Sequence, residues 1–262
     1  MAACLFCGAE GPGILTNEHV MPEWLLKYLG YTPQQQITHG VADSETGAVT
    51  KQRTHSAFTF VDGRVCGGCN HGWMSRLEDA ARPILIPMME GERQLADLTL
   101  SEREILGKWT AKTAYMHSWA GLLKQPVQLE HLHSLYADLG TVAPRVFVVA
   151  AHATYQQLTS YLQSGRWAHV KLKGIEPQPD PLAYKITLQF KHLYLVTAYW
   201  PEPEVQFVLA PFHLLIWPIA TKRGPVWPGM FPLDAPIHMT YRVSVELGLF
   251  HAPAIVLPAG SI

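Results

Sequence analysis

Four cysteines lie in the N-terminal third of this 262-residue chain, arranged as two C-x2-C pairs. The pairs are Cys4 with Cys7 and Cys66 with Cys69. A C-x2-C pair places two thiolates within reach of one tetrahedral ion, and two pairs complete a closed shell of four. Since a closed shell leaves no position for a reacting water, the spacing predicts a structural zinc ion.

Two other uses of these cysteines are less favoured. Disulfides require an oxidising compartment, and the start Met-Ala-Ala-Cys lacks the charged segment and apolar stretch of a secretory signal. We therefore expect a soluble, cytoplasmic protein whose thiols stay reduced. Catalytic use of the cysteines by a zinc enzyme is also disfavoured, because four thiolates leave no site for water.

A short polar cluster follows each cysteine pair and offers groups for a second metal ion. Glu18 and His19 follow the first pair, and Asn70 comes directly after Cys69. An acidic residue beside a histidine is a weak pattern by itself, since such a histidine is more often a satisfied surface or core group. The position of Glu18 and His19 between the two cysteine pairs favours a functional site.

The motif Glu18-His19-Val-x-Pro, followed by C-x2-C-Asn70, resembles the HNH nucleases of the His-Me finger superfamily. Within that superfamily it resembles the branch whose ββα element is braced by a zinc ion on four cysteines. The resemblance covers about residues 4 to 82 of the chain. It implies metal-dependent hydrolysis of phosphodiester bonds in DNA, with RNA as the less expected substrate.

The resemblance also implies a role for each polar residue. His19 is the expected general base that takes a proton from the attacking water, a role that suits an imidazole with a pKa near neutrality. Glu18 and Asn70 are expected to hold one divalent cation, Mg2+ or Mn2+, on the scissile phosphate. Hard oxygen ligands suit these ions, which stabilise the charge that develops on the leaving oxygen.

One position departs from the family pattern. HNH nucleases usually carry a central Asn about five residues ahead of the second cysteine pair, and Val61 occupies that place. Asp62, His55 and Ser56 are the candidate replacements. The departure favours the alternative reading, a non-catalytic zinc module in a regulatory protein that binds nucleic acid or protein, whereas Glu18, His19 and Asn70 favour the enzyme.

Four neighbouring residues also have expected roles, and two of them have two interpretations each. His71 is either an additional ligand or phosphate contact, or a solvent-facing residue at a helix start, which is favoured. Glu78 either contacts the site or is solvated. Trp24 and Trp73 are expected to pack the core of the small ββα unit.

Composition limits the class of protein. Hydrophobic residues make up 48% of the chain, which is enough for one large domain or two unequal ones. The formal net charge of -1 argues against a dedicated nucleic-acid binder, although a local basic patch and a bound cation act where net charge does not. No apolar run approaches the roughly 18 to 20 residues that cross a bilayer, so no membrane contact is expected.

The N-terminal third is expected to form short elements around the cysteines. The sequence predicts an extended segment at 15–20, a helix at 22–29 ended by Gly30, and an irregular stretch at 31–63 that includes a strand at 57–61. Asn70 is predicted to cap a helix whose apolar residues recur at three and four residue steps, until Pro83 and Pro87 interrupt it.

The rest of the chain is predicted to contain helices followed by strands. A capping box of Ser101 and Glu104 opens a helix that ends by Gly121, and further helices are expected at 127–139 and 155–162. The predicted strands are 145–151, 167–173, 184–191, 193–200, 205–209 and 213–219.

Two of these strands alternate between apolar and polar residues. Alternation predicts that Tyr184, Ile186, Leu188 and Phe190 face a core, and that Lys185, Thr187, Gln189 and Lys191 face solvent. With the lysines of the preceding strand, the outer faces would form a basic strip for phosphate contacts, composed of Lys171, Lys173, Lys185 and Lys191. An ordinary solvated sheet face is slightly favoured over this nucleic-acid surface.

Together these patterns predict an α+β protein in two parts. Residues 1–95 are expected to form the zinc-braced ββα nuclease module. Residues 96–262 are expected to form an antiparallel sheet with helices that serves substrate binding, partner binding or dimerisation, so a homodimer is one expected assembly.

Overall fold

The protein consists of helices and mainly antiparallel sheets, which is an α+β fold, and the cysteines lie in its N-terminal part. The computed structural model describes residues 2–42, 49–121, 127–137, 141–153, 160–166, 184–199, 205–209, 214–219, 230–231 and 254–258. The predicted fold class is therefore confirmed at the level of helices, antiparallel sheets and an N-terminal cysteine cluster.

The N-terminal part is built on a pair of strands that are distant in sequence. Strand β1 (Leu15–His19) pairs antiparallel with β4 (Val61–Cys66), and Glu18 lies opposite Asp62. Between them, helix α1 (Glu23–Tyr28) ends as predicted near Gly30, whose φ of +81° suits glycine.

The predicted irregular stretch contains a two-stranded sheet instead. Strands β2 (Gln36–Ala42) and β3 (Val49–Ser56) pair antiparallel, so the prediction of no regular structure here was wrong. The predicted strand at 57–61 was also wrong, because Ala57–Thr59 forms a short 3-10 turn and β4 begins only at Val61. The pattern was misleading because most described residues of the pair are exposed and show no apolar alternation.

Helix α2 (Ser75–Met89) follows a short helical segment, Cys69–Met74, that is kinked at Gly72. Pro83 and Pro87 lie inside α2, so the predicted interruption was wrong. Each proline removes one backbone hydrogen bond. Burial of an apolar face compensates for this loss, and its members are Ala81, Ile84, Leu85, Met88 and Met89.

Helix α3 (Leu100–Ala120) is the central helix of the described structure. Its capping box uses Thr99 and Glu102, two residues before the predicted box of Ser101 and Glu104, and it ends at Gly121 as predicted. Residues 109–118 are all buried, because α2 packs against one side and the large sheet against the other. Helix α4 (Leu129–Ala137) lies within the predicted range, whose last two residues are outside the described part.

The strands of the C-terminal part are β5 (Val146–Ala153), β6 (Ser160–Arg166), β7 (Tyr184–Phe190), β8 (Leu193–Tyr199), β9 (Val205–Leu209), β10 (Leu214–Trp217), β11 (Met230–Phe231) and β12 (Ala254–Pro258). Six of these described strands form the large sheet. Its main path runs β10-β5-β8-β7-β6 with antiparallel neighbours, and β11 lies parallel to β5. A separate pair joins β9 and β12.

Five of the predicted strands are confirmed, namely β5, β7, β8, β9 and β10; β9 has its predicted bounds, and the ends of the other four shift by at most two residues. The predicted helix at 155–162 was wrong over its described residues, because Ser160 begins strand β6. The predicted strand at 167–173, with Lys171 and Lys173, lies outside the described residues.

The prediction that β7 has one solvent-facing side was wrong. Every residue of β7 is buried, including Lys185, Thr187 and Gln189, with Lys185 only 6% exposed. Lys191, after the strand, is half-buried and forms an ion pair with Glu90. Alternation of apolar and polar residues predicts that one face of a strand is buried. It does not show whether other parts of the chain also bury the second face.

One continuous apolar core extends from the N-terminal cysteines through α2 and α3 to the large sheet. The predicted domain boundary at 95/96 falls at a short 3-10 turn, Leu95–Asp97, and it stays a prediction. Among the described helices, none combines the length and the apolar character needed to cross a membrane.

Candidate metal centre and adjoining polar site

The four cysteine side chains converge on one point. Their Sγ atoms all lie within 4.8 Å of one another, with 3.9 Å between Cys4 and Cys69 and 3.6 Å between Cys7 and Cys66. Tetrahedral zinc with Zn–S bonds of about 2.3 Å requires sulfur separations of about 3.8 Å. The geometry therefore fits a metal ion such as zinc in a closed four-thiolate shell.

Backbone hydrogen bonds hold the two cysteine loops together. The amide of Leu5 donates to the carbonyl of Arg64, and the amide of Gly67 donates to the carbonyl of Ile14. Gly8 has a φ of +68°, which lets the first loop turn back after Cys7. Pairing of β1 with β4 is thus what brings two cysteine pairs that are far apart in sequence into one site.

Amide donors face the sulfur atoms. The amide of Cys66 donates to Cys4 Sγ at 3.3 Å, and the amide of Cys69 donates to Cys66 Sγ at 3.4 Å. Burial raises the pKa of Cys4, but backbone hydrogen bonds from Cys7 and Cys66 outweigh burial and bring this pKa down to about 7. Burial raises the pKa of Cys69 well above its ordinary value, so a bound cation is the group that would keep all four thiols ionised.

His19 lies at the end of β1, opposite Val61. Its Nε2 is 3.1 Å from the carbonyl oxygen of Phe58, in the 3-10 turn Ala57–Thr59. Because a carbonyl only accepts hydrogen bonds, this contact assigns the ring proton to Nε2 and leaves a lone pair on Nδ1. The hydroxyl of Ser56 accepts from the amide of Phe58 and so caps this turn.

Glu18 belongs to a buried ionic network. Lys112 of α3 is 0% exposed, and its Nζ lies 2.9 Å from Glu18 Oε1 and 2.7 Å from Glu78 Oε1. Glu78 Oε2 accepts hydrogen bonds from the indole nitrogens of Trp24 and Trp109, both at 2.8 Å. Burial lowers the pKa of Lys112, but the two carboxylates outweigh burial and raise it above its ordinary value, so the lysine stays charged.

Asn70 joins the start of the helical segment to β1. Its Nδ2 donates to Thr16 Oγ1 at 3.0 Å and to the carbonyl of Asn17 at 3.3 Å. The predicted helix cap was wrong, because the residue before this segment is Gly68 and no side chain caps it. Within the described residues the Oδ1 of Asn70 accepts no hydrogen bond, which leaves a free amide oxygen beside the strand that carries Glu18 and His19.

The candidate replacements for the missing central Asn have different surroundings. Asp62 is buried, and its carboxylate accepts from the backbone amide and the guanidinium of Arg64, each at 2.9 Å. His55 bonds to the carbonyl of Ser56 and to His39. Ser56 is the one of the three that caps the turn on which His19 rests.

Sequence reasoning missed Lys112 and Trp109, and it left the role of Glu78 open. Lys112 lies among buried residues of α3, where a lysine is rare unless it is paired. Its position in an otherwise buried helix was the pattern that could have revealed it. His71 is exposed, as predicted, whereas Trp24 and Trp73 are partly buried against the core. No protein-family model, curated protein or solved structure matches this chain.

Proposed function

We propose that the N-terminal part of the chain is an HNH-type nuclease module that hydrolyses phosphodiester bonds in DNA, with RNA as the less expected substrate. The observation that carries this proposal is the fixed imidazole of His19, whose Nε2 donates to the carbonyl of Phe58. Nδ1 is then the nitrogen with a lone pair, which is what a general base for water needs. Strands β1 and β4, followed by a helix, supply the ββα order that such a module requires.

Glu18 and Asn70 are the proposed ligands of a divalent cation, Mg2+ or Mn2+. The amide nitrogen of Asn70 is fixed by two hydrogen bonds, which supports its oxygen as a ligand for a hard cation. Glu18 shares Oε1 with Lys112, so its second carboxylate oxygen is the one proposed for the metal. When bound, the cation would stabilise charge on the leaving oxygen. The four cysteines hold the separate structural zinc.

A second candidate function has its own support. The ion pair between Glu18 and Lys112 and the absence of the central Asn, replaced by Val61, favour a non-catalytic zinc module that binds nucleic acid or protein. A carboxylate that serves only to neutralise a buried lysine needs no metal ion. The two candidates make opposite predictions for cleavage.

Purified zinc-loaded protein is expected to cut supercoiled plasmid in Mg2+ or Mn2+, and His19→Ala is expected to lower the rate about 100-fold to 10,000-fold. The matched control is His71→Ala, which removes an exposed histidine from the same module. Plasmid, single-stranded DNA and RNA are compared in one assay, with zinc content and thermal unfolding checked for each variant. Wild-type protein that is folded and zinc-loaded but cuts none of the three would support the non-catalytic module instead.

A further inference from the structure

Strands β2 and β3 form a two-stranded antiparallel ribbon, defined here as residues 36–42 and 49–56. Among the described strands it is a separate sheet, and the pairs run from Gln36 with Ser56 to Ala42 with Val49. Exposed residues lie on both faces, including four consecutive ones at 51–54. Ile37, His39 and His55 on one face are only partly exposed, so the ribbon buries little apolar surface of its own.

One face of the ribbon carries uncharged hydrogen-bonding side chains. Thr38 lies opposite Thr54, and their hydroxyl oxygens are 2.8 Å apart. Gln36 and Gln52 lie on the same face, and all four residues are exposed. Glutamine amides and threonine hydroxyls and methyl groups are the groups that contact base edges in a DNA groove.

The other face carries positive charge. Lys51 and Arg53 are exposed there, and neither forms an ion pair in the described part of the chain. Residues 36–42 and 49–56 contain no aspartate or glutamate. The acidic residues of the connecting segment, Asp43 and Glu45, lie outside the described residues. The described ribbon is therefore cationic, although the whole chain has a formal net charge of -1.

The base of the ribbon is anchored beside His19. His55 Nε2 is 2.8 Å from His39 Nδ1, and the His39 ring stacks on buried Phe60 with 5.0 Å between centroids. The last residue of the ribbon, Ser56, caps the turn whose Phe58 carbonyl holds the imidazole of His19. A duplex bound along the ribbon would thus lie next to the proposed catalytic base.

We propose that the ribbon is a duplex-DNA-binding arm that lies in the major groove, with the Thr38 and Gln52 face towards the bases. The major groove is about 12 Å wide and admits a two-stranded ribbon. Lys51 and Arg53 lie on the opposite face. Their long stems would extend past the edges of the ribbon to the flanking phosphates, and phosphate contacts supply most of the affinity for DNA. This inference rests on the proposed function and specifies duplex DNA as its substrate.

The test measures binding of the full zinc-loaded chain to a fluorescein-labelled 30-base-pair duplex by anisotropy, with Ca2+ in place of Mg2+. Lys51→Gln/Arg53→Gln is expected to weaken binding about tenfold or more and to lower the salt slope of log K by about 2. The matched control compares Lys51→Gln with Lys27→Gln, an exposed lysine of α1 that is paired with Glu23. Each variant is accepted only with wild-type zinc content and thermal unfolding.

Each outcome decides the proposal. A specific loss in the ribbon variants, with Lys27→Gln unchanged and a single-stranded 30-mer bound more weakly than the duplex, supports the arm. Equal duplex binding by wild type and Lys51→Gln/Arg53→Gln overturns it, as does the same loss on single-stranded DNA or an RNA hairpin. Cleavage that depends on His19 together with unaffected binding would refute the arm and leave the nuclease standing. Duplex binding that depends on Lys51 and Arg53, without any cleavage, would support the DNA-binding arm and refute the nuclease.

Discussion

Replacing Cys66 with serine is expected to abolish zinc binding and to unfold the N-terminal part of the chain. Cys66 supplies one of four thiolates whose sulfur atoms lie within 4.8 Å of one another. Structural zinc contributes about 10–16 kcal/mol to the folding of small zinc domains, which matches or exceeds the 5–15 kcal/mol stability of a typical domain. Loss of one thiolate also leaves three thiols around a weakened site, of which Cys4 and Cys69 are buried and Cys7 is partly buried.

The measurement is zinc content per chain together with thermal unfolding and circular dichroism. Wild type should carry one zinc ion, and a strong chelator should reproduce the effect of Cys66→Ser. Gly67→Ala is the matched control, since a Cβ there would meet Thr16 and His71 at ordinary contact distances of 3.7 and 3.8 Å. Full stability of Cys66→Ser without zinc would contradict a structural role for the metal.

Replacing Lys112 with methionine is expected to lower the free energy of unfolding by about 3–5 kcal/mol. The change leaves the largely buried carboxylates of Glu18 and Glu78, whose side chains are 11% and 12% exposed, without the cation that lies 2.9 and 2.7 Å from them. For a chain of this size the loss corresponds to a fall in Tm on the order of 10 °C. Lys27→Met, which breaks an exposed pair with Glu23, should cost less than about 1 kcal/mol.

A triple variant that carries no charge in this network distinguishes the effect of unpaired charge on stability from the effect of altered packing. Lys112→Met/Glu18→Gln/Glu78→Gln removes the unpaired carboxylates, so it should recover part of the stability that Lys112→Met loses. Urea unfolding of the wild type, the single variant and the triple variant gives the three free energies. Wild-type stability of Lys112→Met, or a triple variant less stable than the single one, would contradict the assigned ion network.

Local patterns predicted much of the N-terminal part. Each C-x2-C pair, strand β1 and the end of α1 at Gly30 depend on residues that are close together in sequence. The structure places all of them where the sequence predicted them. The network of Glu18, Lys112 and Glu78 depends on three elements that meet only in the fold, so no local pattern reveals it. For the same reason the sequence could not show that Asn70 turns its amide to β1.

Predictions from the sequence were wrong where the burial of a strand's two faces could not be inferred from its residues. Lys185 alternates with apolar residues in β7 as a surface lysine would, yet both faces of that strand are buried. The ribbon shows the opposite case, because Thr38 and Thr54 have no apolar face to mark them as strand residues. Alternation of apolar and polar residues identifies a strand that has one buried face and one exposed face. It does not identify a strand whose two faces are both buried or both exposed.

The most direct test of the central claim, that His19 activates water in a metal-dependent nuclease, is chemical rescue. Nicking of supercoiled plasmid in Mg2+ is measured for zinc-loaded wild type and His19→Gly, each with and without added imidazole. We predict that His19→Gly is inactive and that imidazole restores part of its activity while leaving wild type unchanged, because free imidazole replaces the missing base. Wild-type nicking by His19→Gly without imidazole would contradict the assignment, and so would folded wild-type protein that does not cut at all.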